Sequence, residues 1–238
     1  MKCVLCRQDR TLCKSHIVPE FLYKHLYNDG RKLMAISGKG NKGWKPLQKG
    51  VRDRLLCLDC ECKINDYYEK PFLKQWESTS PLPHEIGLDD IYNRCYDYTT
   101  FKLFHLSILF RASVSSLPSF RATNLGKKHE QRIRDMLLNK EPGRNSEYPI
   151  IGLVVVSKNG FREQRFISVP FPSRYANHNI YGQVYGGVGW WISVSSHKNT
   201  EFQQLGLQEN EEMRFYSVDL DSLPQAKLAG MLLRKETF

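Results

Sequence analysis

Two Cys-x-x-Cys pairs, Cys3/Cys6 and Cys57/Cys60, are the residues of this chain whose types and spacing most directly imply chemistry. Thiolates two residues apart can bite one ion from a tight turn, and two such bites complete the tetrahedral set that zinc prefers. A thioredoxin-type redox motif would instead place one pair after a strand and at the start of a helix, and two distant pairs do not suit it. The chain has seven cysteines, an odd number, and in a reducing compartment such pairs bind metal more often than they form stable bridges. Cys13 and Cys62 are substitute ligands without a matched second bite, and Cys95 reads as a core thiol. A structural zinc is worth about 10–16 kcal/mol, more than a hydrophobic core of this segment's size supplies alone.

Three further features surround the cysteines. His16 lies in Ser15-His16-Ile17-Val18-Pro19, where a neutral imidazole could accept a proton near physiological pH. After Cys60, the residues Glu61, Asn65 and Glu69 recur at i, i+4, so they share one edge of any helix. Between Arg31 and Arg54 stand eight basic side chains (Arg31, Lys32, Lys39, Lys42, Lys45, Lys49, Arg52, Arg54) against one acid, Asp53. Such a field attracts polyanions by releasing counterions, so nucleic acid is the leading partner, with a solvated basic loop as the plainer reading. Gly38 to Gly43 is followed by Trp44 rather than Lys-Ser/Thr, which excludes a phosphate-binding P-loop.

A knuckle and a helix N-terminus joined through a β-hairpin make a treble clef. The order Cys-x-x-Cys, His-Ile-x-Pro, basic glycine-containing segment, then Leu-Leu-Cys-x-x-Cys over residues 1–75 resembles the HNH endonucleases, whose ββα-metal site is built on that clef. The resemblance implies a DNA endonuclease that hydrolyses phosphodiester bonds, with His16 as general base and Glu61 and Asn65 as ligands of a catalytic Mg2+ or Mn2+. Hard oxygen ligands suit those cations. Asp53 is a candidate to orient the His16 imidazole, and Arg52 or Arg54 to hold the scissile phosphate. Ser15 and Glu61 stand where the family often has His or Asp, and His; Arg52-Asp53 replaces a middle Asn. The alternative is a zinc-stabilised nucleic-acid-binding module that does not cleave. A third reading makes the clef only a staple for a protein-interaction adaptor.

The elements that must position these residues are partly visible. Pro19 to Tyr27 predicts a short helix, Lys32 to Ser37 a strand, and about Asp59 to Trp76 a helix whose core stripe is Ile64, Tyr68 and Phe72. Ser78 to Pro83 is the candidate boundary, giving domains 1–80 and 81–238. Tyr98 to Ser116 is apolar nearly all round and predicts a buried helix with His105 as a core histidine. Leu125 to Asn139 predicts a second helix, with Leu125, His129, Ile133 and Leu137 inside. From residue 148 the pattern is β-rich: Ile150 to Val156 is a β-branched run closed by Ser157-Lys158-Asn159-Gly160, and Arg165 to Val169, Tyr181 to Val184 and Gly189 to Val194 predict further strands. The expected class is α+β, with an antiparallel C-terminal sheet.

Composition agrees with a soluble chain: 238 residues, 25% charged and net charge +10. The positive excess concentrates before residue 81, where 16 Lys/Arg face 9 Asp/Glu. No run approaches the roughly 20 apolar residues of a membrane span, and the N-terminus lacks a signal-peptide core. A cytoplasmic protein is the expectation. The C-terminal region carries no catalytic motif and is left for a protein partner or a second copy.

Overall fold

The computed structural model describes residues 1–27, 33–35, 45–47 and 50–222. The predicted phosphate contacts Lys39, Lys42 and Lys49 lie outside the described residues; Lys45 lies on a described strand, its side chain outside them. Strand β1 (Leu12–His16) pairs antiparallel with β4 (Arg52–Cys57), and β2 (Leu33–Ala35) with β3 (Lys45–Leu47). Six further strands form one sheet: β5 (Ile91–Cys95), β6 (Ile150–Val156), β7 (Phe171–Tyr175), β8 (His178–Tyr185), β9 (Val188–Ser193) and β10 (Glu212–Asp219), in the order β5-β10-β6-β9-β8-β7.

The α+β class stands; the wholly antiparallel sheet does not. β10 runs parallel to β6, because parallel neighbours need a crossover and the short helix Thr200–Leu205 carries the chain from β9 back to β6's other edge. With both edges of β6 taken, Arg165 to Val169 finds no ladder despite its alternation. That segment makes isolated bonds, such as Ser168 N–H to the Val184 carbonyl at 3.0 Å. Nor is strand confined to the region after residue 148, since β5 precedes the helices and pairs with β10. Cys95, expected in the core, is exposed on that edge strand. Gly186 and Gly187, at φ +62° and +74°, form the two-residue turn between β8 and β9 that favours such backbone.

One continuous rod follows β4. It alternates α-helix (Leu58–Ile64, Lys70–Lys74) with wider π-helical turns (Asn65–Glu69, Gln75–Thr79). The widening is visible in i→i−5 bonds: the amides of Lys70 and Ser80 reach the carbonyls of Asn65 and Gln75. Cys60, Ile64, Tyr68, Phe72 and Trp76 are all buried, each four residues from the next. In an α-helix that spacing drifts by about 40° per step, so the row would spiral out of the core. The π turn Asn65–Glu69 takes up most of that drift, and the row stays buried.

The rod lies against the helix Tyr98–Val114, buried on nearly every side, and against the outer helix Gly126–Asn139. Asp97 caps the buried helix by accepting the Thr100 amide at 2.7 Å. Phe72 stacks on Phe104 at 3.6 Å between ring centroids, Trp76 approaches Trp190 at 5.6 Å, and Phe215 of β10 closes the same cluster. The expected boundary at Ser78 to Pro83 therefore falls where the rod ends but within one continuous core. His105, as expected, is a core histidine. It is fully buried, its Nδ1 faces the Tyr185 hydroxyl, and burial holds its pKa well below the ordinary value. No described helix is long and apolar enough to cross a membrane.

Candidate functional site

Residues 3–6 form a tight knuckle in which the Arg7 amide bonds the Cys3 carbonyl at 2.8 Å. The Val4 amide bonds the Leu55 carbonyl at 3.0 Å, which docks the knuckle on β4. Cys57 ends β4 and Cys60 opens the rod, so the second pair projects from a strand-to-helix corner. The four sulfurs lie within 4.8 Å of one another. Cys6 Sγ and Cys57 Sγ are 3.8 Å apart, the edge of a tetrahedron with metal–sulfur bonds of about 2.3 Å. Among the described residues this is the one group of three or more His, Cys, Asp or Glu side chains close enough to share an ion.

The cluster's electrostatics suit a cation. Burial raises the Cys3 thiol, but the amides of Cys57, Cys6 and Leu5 outweigh it and bring the pKa down to about 7. The Cys57 amide donates directly to Cys3 Sγ at 3.3 Å. Cys57 and Cys60 are pushed up, by burial first and then, for Cys60, by the neighbouring thiols. Positive charge at the centre is what would let all four ionise together. The predicted tetrad is therefore placed to hold one metal ion.

His16, at the end of β1, stands opposite Arg52. Its Nε2 is 2.7 Å from Glu20 Oε2 without the alignment of a hydrogen bond, and neither buried atom has another partner among the described residues. The other Glu20 oxygen accepts from the Tyr27 hydroxyl. Burial lowers the His16 pKa below the ordinary 6.5, against the pull of Glu20, and Arg52 and Arg111 add to the lowering. The imidazole is neutral at physiological pH.

The acidic edge of the rod faces this histidine's strand. Ser15, fully buried, donates to Glu61 Oε2 at 2.6 Å. Glu69 pairs with Arg111 at 2.9 Å, and the same guanidinium donates to the His16 carbonyl at 2.7 Å. Asn65 lies between the two glutamates in sequence, but its amide turns to Asp66 at 3.4 Å. Glu61 and His16 are thus brought to one neighbourhood; Asn65 bonds the Glu61 carbonyl through its backbone amide, but its side chain hydrogen-bonds to neither.

Asp53 does not orient His16. It sits opposite Ser15, and one carboxylate oxygen accepts from the Ser115 and Ser116 hydroxyls and the Ser116 amide, at 2.8, 3.3 and 3.0 Å. Those bonds outweigh burial and hold its pKa below the usual carboxylate range. The residue joins the hairpin to the end of the buried helix, and Glu20 takes the place beside His16. Arg52 and Arg54 are exposed on β4, and Arg54 also donates to the Leu12 carbonyl at 3.3 Å.

Sequence reasoning missed Glu20 and Arg111. Glu20 is four residues beyond His16, a spacing that would have signalled it had Pro19 not directed attention to a helix start. Arg111 has no local signal for this role, because Glu69 and His16 are far away in the chain. It is 1% exposed, and the expected result of Arg111→Leu is a loss of about 3–5 kcal/mol of stability, since a carboxylate and a carbonyl lose their partner. Urea denaturation measures it; a loss below about 1 kcal/mol would show that the clamp contributes little.

Compared with protein-family models, with curated proteins and with solved structures, the chain matches none.

Proposed function

We propose that this protein is a metal-dependent endonuclease that hydrolyses phosphodiester bonds of DNA, built on a zinc-stapled treble clef. The observation that supports it most is the placement of a neutral, half-buried His16 at the end of a hairpin strand whose neighbouring Ser15 bonds Glu61 on the helix that the cysteine tetrad anchors, near enough for the Glu61 charge to act on the imidazole. In this reading Cys3, Cys6, Cys57 and Cys60 hold zinc in a closed four-sulfur set, which staples the fold and leaves no position for substrate.

Nε2 of His16 is closed off by Glu20, so Nδ1 is the atom that takes the proton from the attacking water. The new bond forms from that water oxygen to phosphorus, the phosphorus–oxygen ester bond breaks, and the leaving oxygen departs into solvent. Glu61, with Asn65 one turn on, would hold a hard divalent cation such as Mg2+ or Mn2+ through oxygen; Glu20 Oε2, a buried carboxylate oxygen with no hydrogen bond, is a further donor of the right kind. When bound, such a cation supplies electrophilic stabilisation of the charge that builds on the phosphate oxygens. Glu69 is spent on Arg111 and acts on His16 through that clamp.

The test is nicking of supercoiled plasmid. The expected result is open circles with Mg2+ or Mn2+ and none when the divalent cation is omitted. One observation favours the second reading, a non-cleaving nucleic-acid-binding module: the Glu61 carboxylate already accepts from Ser15, which is not a metal ligand of strength. A protein inert across Mg2+, Mn2+ and Ni2+ that still shifts DNA in a gel would overturn the nuclease in favour of that module.

A further inference from the structure

Cross-strand partners in an antiparallel pair lie on one face, and so do residues two apart along a strand. The register of the hairpin sets Lys14 opposite Arg54 and His16 opposite Arg52. These four side chains therefore occupy one face of a two-stranded ribbon, with Ser15 and Asp53 alternating to the other. Lys14, Arg52 and Arg54 are all exposed, and none forms an ion pair among the described residues. They line a cleft of about 420 Å³ walled on one side by Leu117, beyond the end of the buried helix. Asp53 also borders it, but its charge is engaged by the two serines and by the Arg54 amide. Three like charges held together without neutralisation cost free energy through mutual repulsion, which an anion relieves.

From these observations we propose that the cleft is a phosphate track that seats two consecutive phosphates of one nucleic-acid strand. Lys14 and Arg54 hold the first, and Arg52 holds the second beside His16. The two pairs are separated by about 6.7 Å along the ribbon, a step comparable with that between successive phosphates of a strand. Exposed lysine and arginine heads at this spacing suit phosphate oxygens, and in this proposal the contact is to backbone and independent of sequence. This track rests on the nuclease or nucleic-acid-binding reading above, and it adds Lys14, which composition alone did not single out.

Fluorescence anisotropy of labelled oligonucleotides, without divalent cation and over a range of KCl concentrations, tests it independently of cleavage. Lys14→Ala and Arg54→Ala should each weaken binding equally on unrelated sequences and make the log–log salt slope shallower by about one. Lys158→Ala, on the distant 157–160 turn, should change neither. Bound zinc and circular dichroism confirm that each variant is folded. If the wild type binds and both ribbon variants keep its slope, the track is wrong, even where plasmid is cleaved. If the slopes fall as stated and plasmid remains intact, the track holds and the nuclease reading fails.

Discussion

Cys57→Ser should yield a protein without stoichiometric zinc whose N-terminal ribbon exchanges its amide protons freely. Cys57 is the corner of the metal centre: its sulfur faces Cys6 at 3.8 Å and its amide donates to Cys3. Replacing it removes one of four ligands and, with it, most of an interaction worth about 10–16 kcal/mol, as large as the stability of an ordinary domain. The loss should be local. Residues 1–18 and β4 contribute Leu5, Leu12, Ile17, Val18, Leu55 and Leu56 to the interior, too few to hold knuckle and ribbon without the ion. The rod should survive, because Phe72 and Trp76 pack on Phe104 and Trp190 rather than on the metal. Elemental analysis together with hydrogen exchange checks both halves. Wild-type protein free of transition metal, or an unchanged ribbon in the variant, would remove the scaffold on which the proposed site depends.

The second large effect is on rate. His16→Ala should lower plasmid nicking by about 10²–10⁴-fold, the usual contribution of a positioned general base, while zinc content and melting temperature stay close to wild type. The fold should tolerate the change because Arg111 bonds the His16 carbonyl, which alanine retains. The pH profile carries the sharper signature. A base must be deprotonated to act, and burial lowers the His16 pKa. Wild-type activity should therefore be flat through neutrality and fall only below pH 6.5, as the imidazole takes up a proton. In the variant that acid limb should vanish. Cleavage by His16→Ala at the wild-type rate would assign the chemistry elsewhere.

The parts of this molecule that were legible beforehand are those whose signal is local. The tetrad announces itself through two short spacings, the buried helix through its unbroken apolar run, and β6 through consecutive β-branched residues. What stayed hidden depends on partners distant in the chain. β5 exposes alternate residues at a sheet edge, and β7 contains Pro172, which argues against a strand unless it is at an edge. Arg165 to Val169 alternates convincingly, yet it meets β8 only through single bonds at Ser168, beyond the end of β7. Motif order singled out His16 and Glu61 as candidates, and the fold brings the His16 strand against the Glu61 helix. Arg111 was not singled out, because an arginine inside an apolar helix gives no hint that it grips the His16 carbonyl, 95 residues away. Asp53 was misassigned because its place before Leu-Leu-Cys, where the resembled family has an Asn, says nothing about Ser115 and Ser116 reaching it from the end of the buried helix.

The wide turns of the rod have a consequence for chain length. Four turns of plain α-helix take about 14.4 residues, whereas sixteen positions separate Cys60 from Trp76. The wide turn Asn65–Glu69 absorbs roughly one surplus residue of that stretch, and the second, Gln75–Thr79, begins only at its end. A shorter version, trimmed by one residue in the Asn65–Glu69 turn, would keep Phe72 and Trp76 facing inward as in an ordinary helix. The same deletion made before Ile64 would swing every later side chain about 100° around the axis, taking Phe72 out of the aromatic cluster and leaving the metal corner joined to a misaligned interior. Insertions and deletions, rather than substitutions, are where this helix divides into forgiving and unforgiving stretches.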